Sequence, residues 1–234
     1  MMGLRRLNGL SLPKQTLVRK DKGGANHSPA KMLDFILYTC SYGRVTVETI
    51  EAVERLRETD YKFEWWFQSG DALIARSRSV AAYKFLLEGE TPYMIFLDDD
   101  IVFEPKDIGG ILESLEEKDV VCGLCCTQGD CRLAQYGWNG RVPMSGKVED
   151  IEYISTGFLG ISRKILEKIG KNMPILHKGE WCECKSFFES KAYKNIFLSE
   201  DYDFCHKVRG VGKRVYAHTG VMVKHIKNCI IEIK

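Results

Sequence analysis

Two groups of acids in this 234-residue chain could do chemistry. Asp98, Asp99 and Asp100 are adjacent and follow the apolar run Tyr93-Met94-Ile95-Phe96-Leu97. Glu200 and Asp201 follow Ser199 and precede Tyr202-Asp203-Phe204-Cys205. Adjacent carboxylates repel one another and lose hydration unless something cationic sits among them. Hard oxygen ligands suit Mg2+ or Mn2+, and such ions usually arrive with a phosphate ligand. Each group also has a plain structural reading. The first could be a solvated acidic turn, and acids in a first helical turn are favoured by the helix dipole alone.

The elements around these groups decide where they would stand. Met32–Cys40 reads as a buried strand, Val47–Leu56 as a helix, Tyr61–Phe67 as a strand and Ala72–Leu87 as a helix. The acidic strand follows, then a helix opened by Pro105 with Ile108, Ile111, Leu112 and Leu115 on one stripe. Asp119–Cys126 is the next strand. Alternating strands and helices imply an α/β domain with a mainly parallel central sheet, covered on both faces. In such sheets ligands gather at strand ends. Tyr136–Val142 and Val148–Ser155 read as strands of a smaller mixed extension, and Ser162 as the cap of a helix ended by Gly170. Residues 171–198 read as loop. Ser199 should cap a helix over Glu200–Val208, and Val215–Val223 is a last strand with His225 just beyond it.

This order of motifs resembles the GT-A fold glycosyltransferases, specifically family-2-like enzymes of the phage, viral and archaeal kind. The matching stretches are Ala75-Arg76-Ser77-Arg78-Ser79, Phe96-Leu97-Asp98-Asp99-Asp100-Ile101 and Ser155-Thr156-Gly157-Phe158-Leu159. Ser199-Glu200-Asp201-Tyr202-Asp203-Phe204-Cys205 and the Val215-to-His225 tail complete the set, over roughly residues 32–226. The resemblance implies a single GT-A (Rossmann-like) domain that transfers a sugar from a nucleotide-diphosphate sugar to an acceptor hydroxyl.

It implies Mn2+ or Mg2+ held by Asp98, Asp100 and His225. Asp98 would reach the ribose or a metal-bound water, and Asp99 would contact the ribose. A divalent ion on the diphosphate offsets the charge that gathers on the leaving group. His218 competes with His225 for the ligand role, while His206, beside Lys207, reads as part of a solvated helix face. Asp201 would take the acceptor proton, with Glu200 as the alternative base or as an orienting group. An Asp base opposite a metal-held leaving group implies single displacement with inversion. Arg78 would bind the donor, Ser41 lies in the loop that reads the nucleotide, and Gly157 permits close backbone approach. Arg76 and Arg78 point about 200° apart on a helix, so only one faces the cleft. The chain departs from the family pattern at Ser79, where Asn is common, and at Cys40, where Pro is common.

Composition bounds the rest. Residues 1–31 hold seven basic side chains against Asp21, a balance of +6, which leaves −4 for residues 32–234. The first stretch reads as a flexible basic tail, either a weak tether to acidic lipid or nucleic acid or a tail without a role, and the remainder as the catalytic domain. No apolar run approaches the roughly 18 residues of a membrane span, no secretory signal is visible, and a cytoplasmic setting is expected. The acceptor is expected to be a glycan, a lipid-linked sugar or a protein, with no sequence-specific nucleic acid. Trp138 and Trp181, in the variable stretches 127–150 and 171–198, are candidates to stack on a sugar or base, or to be partly buried packing residues.

Two other classes compete. A sugar nucleotidyltransferase also uses acids and Mg2+, but Cys40-Ser41-Tyr42-Gly43-Arg44 lacks a glycine-rich phosphate loop. The other is non-catalytic: a degenerate sugar-binding module, or a zinc-stabilised interaction domain built on Cys122, Cys125, Cys126, Cys131, Cys182 and Cys184. On a strand, however, Cys122 and Cys125 would face opposite sides.

Overall fold

A computed structural model describes residues 33–125, 133–178 and 182–226. The basic stretch 1–31, Cys126, Cys131 and Trp181 lie outside the described residues.

The first half alternates as the apolar periodicity requires. In order come β1 (Phe35–Ser41), α1 (Val47–Arg57), β2 (Phe63–Ser69), α2 (Ile74–Glu88), β3 (Tyr93–Leu97), β4 (Ile101–Val102), α3 (Pro105–Glu117) and β5 (Val120–Leu124). The second half holds β6 (Val148–Ile151), β7 (Phe158–Ser162), α4 (Arg163–Gly170), β8 (Leu176–Lys178), β9 (Cys182–Cys184), β10 (Lys191–Tyr193) and β11 (Ile196–Leu198). It ends with α5 (Glu200–Gly210), β12 (Val215–Met222) and β13 (Lys224–His225).

Seven strands form one sheet in the order β2-β1-β3-β7-β5-β12-β6. β1 pairs parallel with β2 and β3, and β5 pairs parallel with β12. β7 joins the two blocks by running antiparallel to both β3 and β5, and β6 runs antiparallel to β12 at the edge. Five of the seven strands therefore point one way. β1 is buried along its whole length because helices cover both faces. Ile36, Tyr38 and Cys40 enter one apolar layer with Phe85 of α2, Ile165 of α4 and Phe204 of α5. The alternate Phe35 and Leu37 enter the other, with Val53 of α1 and Ile108 and Ile111 of α3. This is the Rossmann-like α/β architecture that the alternation implies.

Several expectations need correction. Tyr136–Val142 is not a strand. Only Tyr136 bridges to Tyr153, and turns fill 138–141. The stretch 171–198 is not mere loop, since β8 pairs with β9 and β10 with β11. Phe158–Ser162, to which the periodicity assigns no element, is a central strand. There Gly160 is needed for packing: an added Cβ would stand 2.5 Å from Ile111 Cγ2 and 2.8 Å from Leu115 Cδ1, so α3 lies directly on β7. Ser162 does cap α4, accepting from the Ile165 N–H. Ser199 takes the same place before α5 without a capping hydrogen bond from its side chain.

Cys122 and Cys125 enter opposite apolar layers, as strand geometry requires. Among the described residues, no helix is long and apolar enough to cross a membrane.

Candidate active site

The three acids leave the carboxyl end of β3, where parallel strands deliver their side chains to a shared cleft. Their backbone is tied from three directions. The Asp98 N–H donates to the Gly157 carbonyl at the mouth of β7 (2.9 Å), and the Thr46 N–H to the Asp99 carbonyl (2.8 Å). The Ile226 N–H donates to the Asp100 carbonyl (2.8 Å).

The last tie explains how a residue 125 positions away reaches Asp100. An irregularity between His218 and Met222 shifts the register of β12 against β5, and the pairing ends at Met222 opposite Leu124. The chain then leaves the sheet as β13 and pairs antiparallel with β4, setting His225 opposite Ile101. His225 Nε2 lies 2.9 Å from Asp100 Oδ2, and both side chains are partly exposed. His218 stays on β12, where its Nδ1 accepts from the Gly220 N–H, and His206 lies 3.2 Å from the Tyr153 hydroxyl.

Arg78 organises the other acids. Only 5% of it is exposed. Its Nη2 donates to both oxygens of Asp98 (2.8 and 3.0 Å), while Nη1 donates to Glu200 (2.7 Å) and to Asp201 (3.3 Å). One guanidinium thus fixes the end of β3 against the start of α5. Arg76 faces elsewhere and is held by Asp71 at 2.5 Å. α2 is itself anchored at its far end by Arg163, whose guanidinium donates to the carbonyls of Phe85, Leu86 and Gly89.

The cluster has three carboxylates for one buried cation, and its electrostatics follow from that imbalance. Burial works against the charge of Arg78, but Asp98, Asp201 and Glu200 outweigh it and raise its pKa above the ordinary arginine value. For Asp201 burial is the largest influence and raises the pKa. Arg78 pulls it back, Glu200 and Asp98 push it up again, and the carboxyl ends up at about 7. Asp99 is also raised, first by burial and then by Asp100 and Asp98, against a hydrogen bond from Ser41 that lowers it.

Sequence reasoning left out Thr156. It is fully buried, its hydroxyl donates to Asp201 Oδ1 (3.2 Å), and its N–H donates to Oδ2 (3.4 Å). Its neighbour Gly157 keeps Asp98 clear, since a Cβ there would stand 3.4 Å from Asp98 Oδ2. The signal for Thr156 was its place beside Gly157 in the matched stretch. Ser190, also unremarked, donates to Glu200 Oε2 at 3.4 Å. Asp203 is not part of this cluster. It is wholly buried and paired with Lys191 (2.6 Å) and Lys207. Trp138 is half exposed, donates to Asp150 and lies under Arg209.

The arrangement therefore contains an Asp100–His225 pair at one side and an Arg78-bound set of Asp98, Glu200 and Asp201 at the other. Among the described residues, no three His, Cys, Asp or Glu side chains converge as a complete metal cage. The Asp100–His225 pair supplies one hard oxygen and one imidazole nitrogen. That donor set fits a divalent ion whose other positions are filled by phosphate and water.

No family model matches the chain, and no curated protein matches it. Among solved structures it is similar to A197 from STIV, with a TM-score of 0.58 and 20% sequence identity over 84% of this chain and 87% of that one. At that identity the likeness is one of fold: the two chains share the Rossmann-like α/β architecture over most of their length.

Proposed function

We propose that the protein is a metal-dependent glycosyltransferase that moves a sugar from a nucleotide-diphosphate sugar to an acceptor hydroxyl, with inversion. The observation that carries this reading is the convergence of Asp100 with His225 and of Asp98 with Glu200 and Asp201. The ends of two separate strands and the start of a helix thereby meet at the carboxyl end of β3.

Asp100 and His225 would hold Mn2+ or Mg2+. When bound, the ion offsets the charge on the departing diphosphate. Asp98, fixed by Arg78, would meet the ribose or a water on the ion. Ser41 and Asp99 would receive the nucleoside, and Gly157 leaves the space beside Asp98 open. In the reaction the bond from the anomeric carbon to the diphosphate oxygen breaks as the acceptor oxygen bonds to that carbon. The acceptor's proton goes to Asp201. A carboxylate whose pKa is raised toward neutrality is a stronger base than an ordinary aspartate and is still ionised at slightly alkaline pH. Glu200 shares Arg78 with Asp201 and orients the acceptor. Arg78 acts as a positioning residue, since its guanidinium is already engaged by three carboxylates.

Titration calorimetry with Mn2+ tests the ligand assignment without turnover. Mn2+ should bind more tightly when a nucleoside diphosphate is present, and His225→Ala should weaken that binding at least tenfold, or about 1.4 kcal/mol. Unchanged Mn2+ affinity in His225→Ala would remove His225 from the ligand set.

A further inference from the structure

A cavity of about 510 Å3 opens beside this cluster, between the start of α2 on one side and Leu176, His177 and residues 184–190 on the other. We propose that it is the acceptor subsite and that its occupant is the alkyl chain of a lipid-borne acceptor, an inference that rests on the transferase reading. The volume lies within the roughly 300–1,000 Å3 typical of small-molecule sites.

The lining argues for the chemistry of the occupant. Leu73, Ile74, Leu176, Cys184 and Phe188 form the apolar walls. The charged side chains of the lining are already engaged: Arg76 is held by Asp71, His177 lies 3.4 Å from Glu183, and Glu189 lies 3.7 Å from Lys191 and 3.9 Å from Lys207. Polar side chains also line the cavity, but against the five apolar walls a sugar finds no hydrogen-bond partner, whereas a hydrocarbon chain gains by leaving water. The apolar surface also continues outward. Leu73 is 58% exposed, Leu176 44% and the adjacent Ile175 44%, so a chain longer than the cavity has a greasy track to follow.

A link to the acid cluster argues for the cavity's role. Ser190 lines it and donates to Glu200 Oε2, so the head of a bound chain would lie one side chain away from the carboxylates that receive the acceptor hydroxyl. The +6 balance of residues 1–31 suits an acceptor presented at an anionic lipid surface.

The probes are n-octyl, phenyl and methyl β-glucoside, with the octyl compound kept below its micelle threshold, titrated against the full chain by calorimetry. Wild type is compared with Leu73→Asp and Leu176→Asp. Both positions are exposed, and Asp is a favoured residue at the position just before α2 that Leu73 occupies, so both variants should keep the wild-type melting temperature. The octyl compound should bind at least tenfold more tightly than the methyl compound, and each variant should lose that advantage. Equal binding of octyl and methyl compounds, or octyl binding untouched in both variants, would overturn the proposal. Phenyl binding tighter than octyl would replace the alkyl chain with an aromatic occupant. Hydrolysis of a nucleotide sugar with Mn2+, measured in parallel, separates the two levels. Donor consumed at wild-type rate without octyl binding sinks the subsite alone. Octyl binding with no donor consumed by wild type sinks the transferase reading, and the acceptor role with it.

Discussion

Replacing Arg78 with methionine is expected to cost about 3–5 kcal/mol of stability at pH 8, because three partly buried carboxylates lose the one cation that pairs them. For a chain of this size that corresponds to a fall in Tm of roughly 6–20 °C. The loss should shrink at pH 5, below the raised pKa of Asp201, where that carboxyl holds its proton and no longer needs the cation. Activity should drop by at least about 100-fold even below the new Tm, since the end of β3 and the start of α5 are no longer held in register. Arg78→Lys keeps the charge but not the fork that reaches Asp98 with one nitrogen and Glu200 with the other, so it should recover only part of the stability. Thermal scans at pH 5 and pH 8 decide the matter. A methionine variant as stable as wild type at pH 8 would show that the cluster does not hold the two elements together.

Asp201→Asn is the second large effect, and its signature is the split between activity and stability. Transfer should fall by about 10²–10⁴. Wild-type activity should rise as the pH passes through about 7, where the raised carboxyl loses its proton and becomes a base. Stability runs the other way. A carboxyl that holds its proton more tightly in the folded state stabilises the fold fully below the unfolded pKa near 4, and that contribution is lost as the pH rises to about 7. The asparagine variant lacks this loss, so its Tm at pH 8 should equal or exceed that of wild type. Rates and Tm measured across pH 5–9 check both signs. A variant that keeps wild-type activity would pass the base role to Glu200.

Much of this site was legible because its parts are local. The run from Tyr93 to Leu97 reads as a buried strand, and it ends abruptly in three acids. Ser199 followed by two acids marks a helix start with equal economy. What was not legible depends on pairing across the chain. β7 contains only five residues, Phe158-Leu159-Gly160-Ile161-Ser162, and nothing in its composition says that it runs antiparallel between β3 and β5. β8 to β11 are three residues each, too short for any periodicity to show. Tyr136–Val142 has strand-like residues, yet Gly137 and Gly140 turn the chain there. Gly140 has a positive φ, and a Cβ at Gly137 would overlap the Arg141 backbone. The fork of Arg78 was hidden for the same reason. Its partners stand 20, 122 and 123 positions away, and only the fold brings them to one guanidinium.

The most direct measurement is the release of nucleoside diphosphate from a panel of nucleotide sugars with Mn2+, comparing wild type with Asp100→Ala. The account predicts that wild type consumes at least one donor in a metal-dependent way and that Asp100→Ala does not. If wild type consumes no donor, and no donor raises its melting temperature even with Mn2+, the glycosyltransferase reading is contradicted.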